Sequence, residues 1–184
     1  MDTTRLLVVG AGAIGRTHID RILRTPGLAL AGIADPSDAG RALAESIGVP
    51  WAPDHVSALE RFQPQGAIVA TPNTQHVPMA LDCLARGVAA LAEKPVADSV
   101  AEAQQLVDAQ ARSGVPVLVG HHRRHNPILQ RARQIIADGR LGQVLSANVM
   151  ANFYKPAAYF DVAWRRQAGG GPVLINLIHD IDML

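Results

Sequence analysis

LLVVGAGAIG occupies residues 6–15 and joins four apolar residues to glycines at positions 10, 12 and 15. The apolar run predicts a buried strand, and the residues from Ile14 to Leu23 predict the helix after it. In this context the first glycine permits a tight turn, the second lets the backbone approach a pyrophosphate, and the third allows close helix–strand packing. The unpaired N–H groups at the start of the helix favour a phosphate. We therefore predict a dinucleotide-binding loop made of Gly10, Gly12, Ala13, Ile14 and Gly15.

An acidic residue follows the second predicted strand, Leu28 to Ala34. Asp35 stands 20 residues beyond Gly15, where its carboxylate can accept hydrogen bonds from the ribose hydroxyls of an adenosine. This predicts NAD as the cofactor and disfavours NADP, because a 2′-phosphate would meet a like charge. The alternative is a plain strand–turn–helix in which Asp35 is only a cap or turn residue. The strand, loop, helix and acid together favour the dinucleotide site.

Short apolar runs alternate with helical patterns through the first two thirds of the chain. Strands are predicted at 6–9, 28–34, 67–70, 88–92 and 116–119, with helices at 14–23, 37–47, 75–86 and 98–112. This order predicts the α/β class, as an N-terminal Rossmann fold with a doubly wound parallel sheet. After Gly120 the composition becomes polar and basic, and we predict a helix from Pro127 to about Asp138 and a strand from Gln143 to Phe153.

We place a domain boundary between about 120 and 127. A dinucleotide-binding domain is predicted over residues 1–122, and the start of an α/β open-sheet substrate domain over 123–184. Such a second domain would continue for about 150 residues more on ordinary domain sizes. We therefore expect an incomplete second domain, and a 184-residue chain that is inactive by itself.

Composition excludes several classes of partner. Lys and Arg number 17 against 16 Asp and Glu, so no basic excess predicts nucleic acid or a membrane surface as a partner. No apolar run approaches the roughly 20 residues that span a bilayer. The single cysteine, Cys83, cannot form an internal disulfide and is predicted to be a small buried residue. A cytoplasmic location is the expectation.

Two further loops follow predicted strands at the edge where a parallel sheet binds ligands. The first contains Thr71, Pro72, Asn73 and His76, and the second is Glu93-Lys94-Pro95. We predict that Thr71, Pro72, Asn73, His76, Glu93 and Lys94 contribute to cofactor binding. Lys94 can present a compact charge or act in proton transfer. The alternative is an exposed loop lysine, and the residues themselves leave both open.

These motifs, with the late Gly169-Gly170-Gly171 and His179-Asp180-Ile181-Asp182 segments, resemble the Gfo/Idh/MocA oxidoreductases. The resemblance covers essentially the whole chain. It implies a nicotinamide cofactor on the N-terminal domain and a C-terminal domain that supplies the substrate pocket and the oligomer contacts. It further implies small-molecule substrates such as sugars, inositols or related polyols, and a homo-oligomer, dimer or tetramer, for the full-length protein.

The resemblance assigns the catalytic roles to Lys94 and His179. An imidazole, with an ordinary pKa of about 6.5, can take the hydroxyl proton while hydride leaves for nicotinamide. Lys94 would hold the hydroxyl oxygen and stabilise its negative charge. A helical count puts Leu174, Leu177, Ile178, Ile181 and Leu184 on one side, and Asn176, His179, Asp180 and Met183 on the other.

One position departs from the family pattern. Many members have an aspartate four residues before the late histidine, and this chain has Ile175 there. The neighbouring Asn176 could bind a substrate hydroxyl but could not share a proton. The departure leaves open the substrate class and the way His179 is tuned.

The remaining candidates lie in the second domain. Tyr154 to Trp164 holds the aromatic concentration of the chain, which suits a pocket wall or a loop packed on its own domain. Lys155 or Arg165 would be available to an anionic group. The predicted substrate-binding residues are Lys94, Arg124, Tyr159, Trp164, Arg165, Asn176 and His179. His121, His122 and His125 lack an accompanying cysteine or acidic cluster, and Asp180 and Asp182 point to different sides of a helix, so no metal site is predicted.

Two rival functions stay open. A sensor or regulatory subunit could hold NAD without turnover, in which case Lys94 and His179 would be dispensable. An enzyme of sugar-nucleotide or glycoside chemistry could use tightly held NAD transiently and release no NADH.

Overall fold

The computed structural model describes residues 3–167, 171 and 173–184. The chain divides into two compact units, Met1–Gly120 and His121–Leu184. Within the described ranges, no helix is both long enough and apolar enough to cross a membrane.

The first unit is built on a parallel sheet of six strands in the order β3-β2-β1-β4-β5-β6. The strands are β1 Thr4–Val9, β2 Leu28–Ala34, β3 Trp51–Ala52, β4 Gly66–Val69, β5 Ala89–Ala92 and β6 Val117–Val119. The helices are α1 Ala13–Arg24, α2 Asp38–Ile47, α3 His55–Phe62, α4 His76–Ala85 and α5 Val100–Ser113. This arrangement confirms the predicted doubly wound sheet. The strand order reverses between β1 and β4, which is where such folds bind ligands.

The central strands of the sheet are buried on both faces, as their apolar residues predict, whereas Leu118 and Val119 of the edge strand β6 are exposed. Leu7 and Val9 of β1 belong to one buried apolar cluster, and Val8 between them belongs to the other. Successive side chains of a strand point to opposite faces, so the two clusters lie on opposite sides of the sheet. Cys83 is fully buried in the first cluster, as predicted. Burial raises the pKa of its thiol to about 12.

Residues 51–62 differ from the prediction, which left them without a regular element. They form the short edge strand β3 and the helix α3. The side chain of Asp54 caps α3 by accepting a 2.8 Å hydrogen bond from the Ser57 N–H. An N-cap aspartate before Ala58, Leu59 and Phe62 was the available signal. The strand has only two residues, so it carries no periodic pattern.

The second unit contains the predicted helix, α6, at Pro127–Ala137. Asn126 caps it by accepting a 2.9 Å hydrogen bond from the Ile128 N–H. The predicted strand from Gln143 to Phe153 is wrong, because these residues form neither strand nor helix. Leu145 and Met150 are about nine-tenths exposed there. An isolated strand is not stable unless a neighbour satisfies its backbone groups, and the described residues supply none here.

The last segment also departs from the expected regular helix. Val173–Leu177 forms a π-helical turn, and α7 follows at Ile178–Ile181. A π turn has more residues than an α turn, so the 3.6-residue count does not hold across it. The predicted apolar side is wrong at its end, since Ile181 is 50% and Leu184 77% exposed. Gly169, Gly170 and Pro172 of the predicted glycine loop lie outside the described residues.

Candidate functional site

The glycine loop lies at the carboxyl end of β1 and leaves no room for side chains at two positions. Gly10 has a φ of +92°, and a Cβ there would lie 2.6 Å from the Ala70 carbonyl oxygen. A Cβ on Gly15 would lie 1.8 Å from the Gly10 carbonyl oxygen. Both distances are far below van der Waals contact, so only glycine permits this turn and this approach of α1 to the strand.

The N-terminus of α1 lacks the side-chain cap that α2 and α5 have. Ser37 and Ser99 cap those two helices through their hydroxyl oxygens, whereas Gly12 at the start of α1 has no side chain. A Cβ on Gly12 would meet nothing within 4 Å, so open space faces this position. Unpaired N–H groups beside open space fit the pyrophosphate of a dinucleotide.

Asp35 lies directly after β2 and is bonded back to the glycine loop. Its Oδ2 accepts a 2.6 Å hydrogen bond from the Ala11 N–H, and its Oδ1 accepts one of 2.9 Å from the Ser37 N–H. The Ser37 hydroxyl makes a further short hydrogen bond to Oδ1. Partial burial alone would raise the pKa of Asp35, but these bonds and the charge of Arg16 outweigh it and lower the pKa. The carboxylate is therefore ionised at neutral pH and fixed beside the loop.

Gly40 is a residue of this site that the sequence reasoning missed. It lies in α2, and a Cβ there would come within 2.6 Å of the Asp35 carboxyl carbon. The missing side chain is what lets α2 approach the carboxylate. A glycine near the start of a predicted helix was the one hint in the sequence. Its role was not predictable, because the side chain that it contacts, Asp35, lies outside that helix.

The loop after β4 is tied to the loop after β5 by His76. This side chain is 1% exposed. Its Nδ1 lies 2.8 Å from the Pro95 carbonyl oxygen and its Nε2 lies 2.8 Å from the Thr71 carbonyl oxygen. Asn73 is also buried, while Thr71 and Pro72 are half-buried. His76 was predicted to take part in cofactor binding. Both of its ring nitrogens contact backbone carbonyl oxygens, one in each loop, and the side chain therefore positions the two loops.

Glu93 forms a buried junction directly before Lys94. Its Oε1 lies 2.8 Å from Nε2 of His18 on α1, and its Oε2 accepts a 3.2 Å hydrogen bond from the Lys94 N–H. A Cβ on Gly120 would lie 3.0 Å from the carboxyl carbon, so this glycine makes the room. The Lys94–Pro95 peptide bond is cis. Glu93 thus links α1, the end of β6 and the backbone of Lys94.

The charge state of Glu93 follows from these partners. Burial alone would raise its pKa, but the hydrogen bond and charge of His18, followed by those of Lys94, outweigh burial and hold the pKa below 4.5. Sequence reasoning missed His18 and Gly120, since neither belongs to a recognised loop.

In the second unit, His179 is buried in α7, and its ring meets His122 edge-on with the centroids 4.7 Å apart. The two aspartates that follow it are paired with the basic segment at residues 121–125. Arg123 Nη1 lies 2.7 Å from Oδ1 of Asp180, and Arg124 Nη2 lies 2.5 Å from Oδ1 of Asp182. Arg124, a predicted substrate contact, is therefore engaged by Asp182.

The other predicted substrate residues are spread through the second unit. Tyr159 packs edge-on against Phe160 and lies beneath two cations, Lys155 at 4.7 Å and Arg165 at 4.1 Å from its ring centroid. Tyr159 is therefore held in this aromatic run by cation–π contacts. Oδ1 of Asn176 is buried and has no hydrogen-bond partner among the described residues. The side chain of Trp164 lies outside the described part of the chain.

Comparison with known proteins decides the family. Residues 4–121 match the model of an oxidoreductase family with an NAD-binding Rossmann fold, and residues 129–184 match the GFO/IDH/MocA C-terminal domain. The chain belongs to the Gfo/Idh/MocA oxidoreductase family. The predicted resemblance is confirmed.

Curated relatives carry several names within the Gfo/Idh/MocA family. The rhizopine catabolism protein MocA of Rhizobium meliloti is 30% identical over 185 residues, covering 100% of this chain and 57% of that protein. An inositol 2-dehydrogenase of Rubrobacter xylanophilus is 31% identical, covering 95% of this chain and 49% of that protein. The chain thus spans about half the length of these relatives.

Solved structures agree on the fold. The WlbA dehydrogenase of Bordetella pertussis, in complex with NADH and UDP-GlcNAcA, gives a TM-score of 0.94 at 26% identity, covering 100% of this chain and 54% of its own. The scyllo-inositol dehydrogenase of Lactobacillus casei, with NAD(H) and scyllo-inositol, gives 0.83 at 21% identity, covering 99% and 55%. At that identity the second likeness concerns the fold alone.

Proposed function

We propose that the protein is an NAD-dependent oxidoreductase that transfers a hydride between nicotinamide and a secondary hydroxyl of a sugar, inositol or related polyol. Relatives named inositol 2-dehydrogenase and 1,5-anhydro-D-fructose reductase, each at least 30% identical, support this substrate class. The observation that carries the cofactor half of the proposal is the fixed, ionised Asp35 beside the open N-terminus of α1.

The preference for NAD over NADP rests on Asp35. A carboxylate has about four lone-pair sites, and Ala11 and Ser37 occupy three of them, which leaves one for a ribose hydroxyl. A 2′-phosphate would instead bring a second negative charge against an ionised carboxylate. Repulsion at this point disfavours NADP.

The chemical step needs a proton acceptor and a group that stabilises an alkoxide. Bound nicotinamide would supply the hydride acceptor. In this proposal a ring nitrogen of His179 accepts the hydroxyl proton and returns it in the reverse direction. The ammonium of Lys94 stabilises the negative charge that develops on the hydroxyl oxygen. Glu93 holds the backbone of Lys94 in place by accepting a hydrogen bond from its N–H.

The test is a screen of inositols and sugars for NADH formation by the full-length protein, with Lys94→Ala and His179→Ala as variants and NADH binding measured by calorimetry. We expect both variants to lose turnover by about 100-fold or more. His179→Ala should bind NADH like the parent protein, whereas Lys94→Ala, which also removes a predicted cofactor contact, should bind NADH more weakly. Normal turnover in either variant would contradict its assigned role. NADH binding without turnover on any substrate would favour the sensor.

A sugar-nucleotide substrate is the second candidate. It is favoured by the likeness to WlbA, whose structure holds UDP-GlcNAcA. A nucleotide-linked uronic acid added to the same screen separates the candidates. Turnover of that compound alone would replace the free polyol as the proposed substrate.

A further inference from the structure

The last helix carries a carboxylate three residues after His179, at Asp182. The Asp182 N–H donates a 3.0 Å hydrogen bond to the Ile178 carbonyl oxygen, so residues 178–182 form a true α-helical turn. Residues three apart in such a turn lie on the same face, which puts Asp182 beside His179. Ile175 lies in the π-helical turn that precedes α7, and its side chain has no ionisable group.

The Asp182 carboxylate is well held. Its side chain is 6% exposed. Arg124 Nε donates to both carboxylate oxygens at 3.0 Å, and Arg124 Nη2 donates to Oδ1. Nδ1 of His121 lies 3.4 Å from Oδ2. Such two-pronged contacts from a guanidinium fix the plane of a carboxylate as well as its position.

Asp180, by contrast, belongs to a separate ion pair. Its Oδ1 accepts a 2.7 Å hydrogen bond from Arg123. It adjoins His179 in the chain, and residues one apart in a helix do not face each other. Among the described residues of the second unit, Arg123–Asp180 and Arg124–Asp182 are both Arg–Asp pairs, and only the second lies on the face of His179.

We propose that Asp182, clamped by Arg124, positions His179 and balances its charge, in place of the carboxylate missing at residue 175. Asp182 is a positioning residue that acts through His179. The role rests on His179 being the proton acceptor of the proposed function. The lowered pKa of Asp182, caused first by the hydrogen bond from Arg124 and also by the charges of His121 and His179, agrees with an ionised carboxylate near the imidazole.

The two partners of the ion pair should shift the pKa of His179 in opposite directions. Asp182→Asn removes a negative charge and leaves Arg124, so the protonated imidazole of His179 loses stabilisation. Arg124→Gln removes the positive charge and leaves Asp182 uncompensated, so the protonated imidazole gains stabilisation. If the Arg124–Asp182 pair only supported the fold, loss of either partner would not shift the pKa of His179 in opposite directions.

The experiment is an NMR pH titration of the His179 ring in the full chain, with the signal assigned by its loss in His179→Gln. The signal of His122, whose ring lies edge-on 4.7 Å from that of His179, is assigned in the same way by His122→Gln, so that the two titrations are followed separately. We expect the midpoint to fall by about half a pH unit or more in Asp182→Asn and to rise by a similar amount in Arg124→Gln, about a threefold change in proton affinity each way. The double variant should return towards the parent value. If the protein turns over a polyol, the acid limb of kcat/KM should move in the same directions.

The matched control is the neighbouring pair, through Asp180→Asn and Arg123→Gln. These variants should shift the His179 midpoint by clearly less than their counterparts. Equal shifts in both pairs, or shifts of the same sign in Asp182→Asn and Arg124→Gln, would overturn the proposal. The titration needs no substrate, so it tests the role of Asp182 even where the polyol screen fails.

Discussion

The two units hold their candidate functional residues by opposite means. In the first unit, backbone N–H groups and close packing against glycines fix the glycine loop and Asp35. At Gly15 and Gly40 a side chain would overlap the neighbouring atoms. In the second unit His179 lies among ion pairs formed by long side chains, such as Arg123 with Asp180. Substitution of a glycine whose Cβ would overlap a neighbour forces that neighbour to move, whereas a partly exposed ion pair contributes modestly to stability. We expect single substitutions in the first unit to lower its stability or its affinity for NADH strongly. In the second unit we expect them to change mainly the titration of His179 and to alter stability little.

Gly15→Ala should give the largest effect. The new Cβ would meet the Gly10 carbonyl oxygen at 1.8 Å, so the loop or α1 must move. We expect a loss of about 3 kcal/mol in the free energy of unfolding and no measurable NADH binding. Urea unfolding and NADH fluorescence measure the two.

The matched control is Gly12→Ala, whose Cβ meets nothing within 4 Å. It should fold like the parent protein and yet bind NADH more weakly, because the added methyl occupies the space that the pyrophosphate needs. Equal stability in Gly15→Ala and Gly12→Ala would show that close helix–strand packing does not set this loop.

Asp35→Ala comes next in size. Loss of the carboxylate should weaken NADH binding by about tenfold or more and reduce the preference over NADPH, because the charge that opposes a 2′-phosphate is gone. Competitive binding of the two cofactors measures both quantities.

Gly40→Ala tests the same site without removing its charge. The new methyl pushes against the Asp35 carboxyl group at 2.6 Å, so NADH affinity should fall while discrimination against NADPH persists. Unchanged NADH affinity in both variants would rule out Asp35 as a ribose ligand.

Acid should weaken the first unit through Glu93, with a smaller effect. Its folded pKa lies below the ordinary 4.5, so the stability it contributes is full above that value and is lost as pH falls through the folded pKa. Glu93→Gln should cost about 1 kcal/mol of unfolding free energy at pH 7 and less at pH 4. Urea unfolding at several pH values measures the difference, and a cost independent of pH would assign it to packing.

The smallest effect is expected in the second unit. Arg123→Gln breaks a partly exposed pair and should change the unfolding free energy by about 0.5 kcal/mol. A loss as large as that of Gly15→Ala would mean that the two units do not differ in the way described.

Much of the first unit was predictable, because its pattern is local. The glycine spacing, the buried strands and Asp35 all follow from residues near one another in the chain. Gly120, His18 and Gly40 were not predictable in this way, since each matters through a neighbour from a different element. The strand expected at 143–153 failed because alternation alone supplies no partner strand.

The amino-acid sequence by itself determined the doubly wound sheet, the tight glycine loop and the family, because periodicity and glycine geometry act over short stretches. Only the tertiary structure decided that Asp35 is bonded to Ala11, that Glu93 lies between His18 and Lys94, and that Arg124 clamps Asp182. The reason is physical: a hydrogen bond or ion pair depends on a few ångströms between atoms, and residues 58 positions apart reach that distance only through the folded backbone.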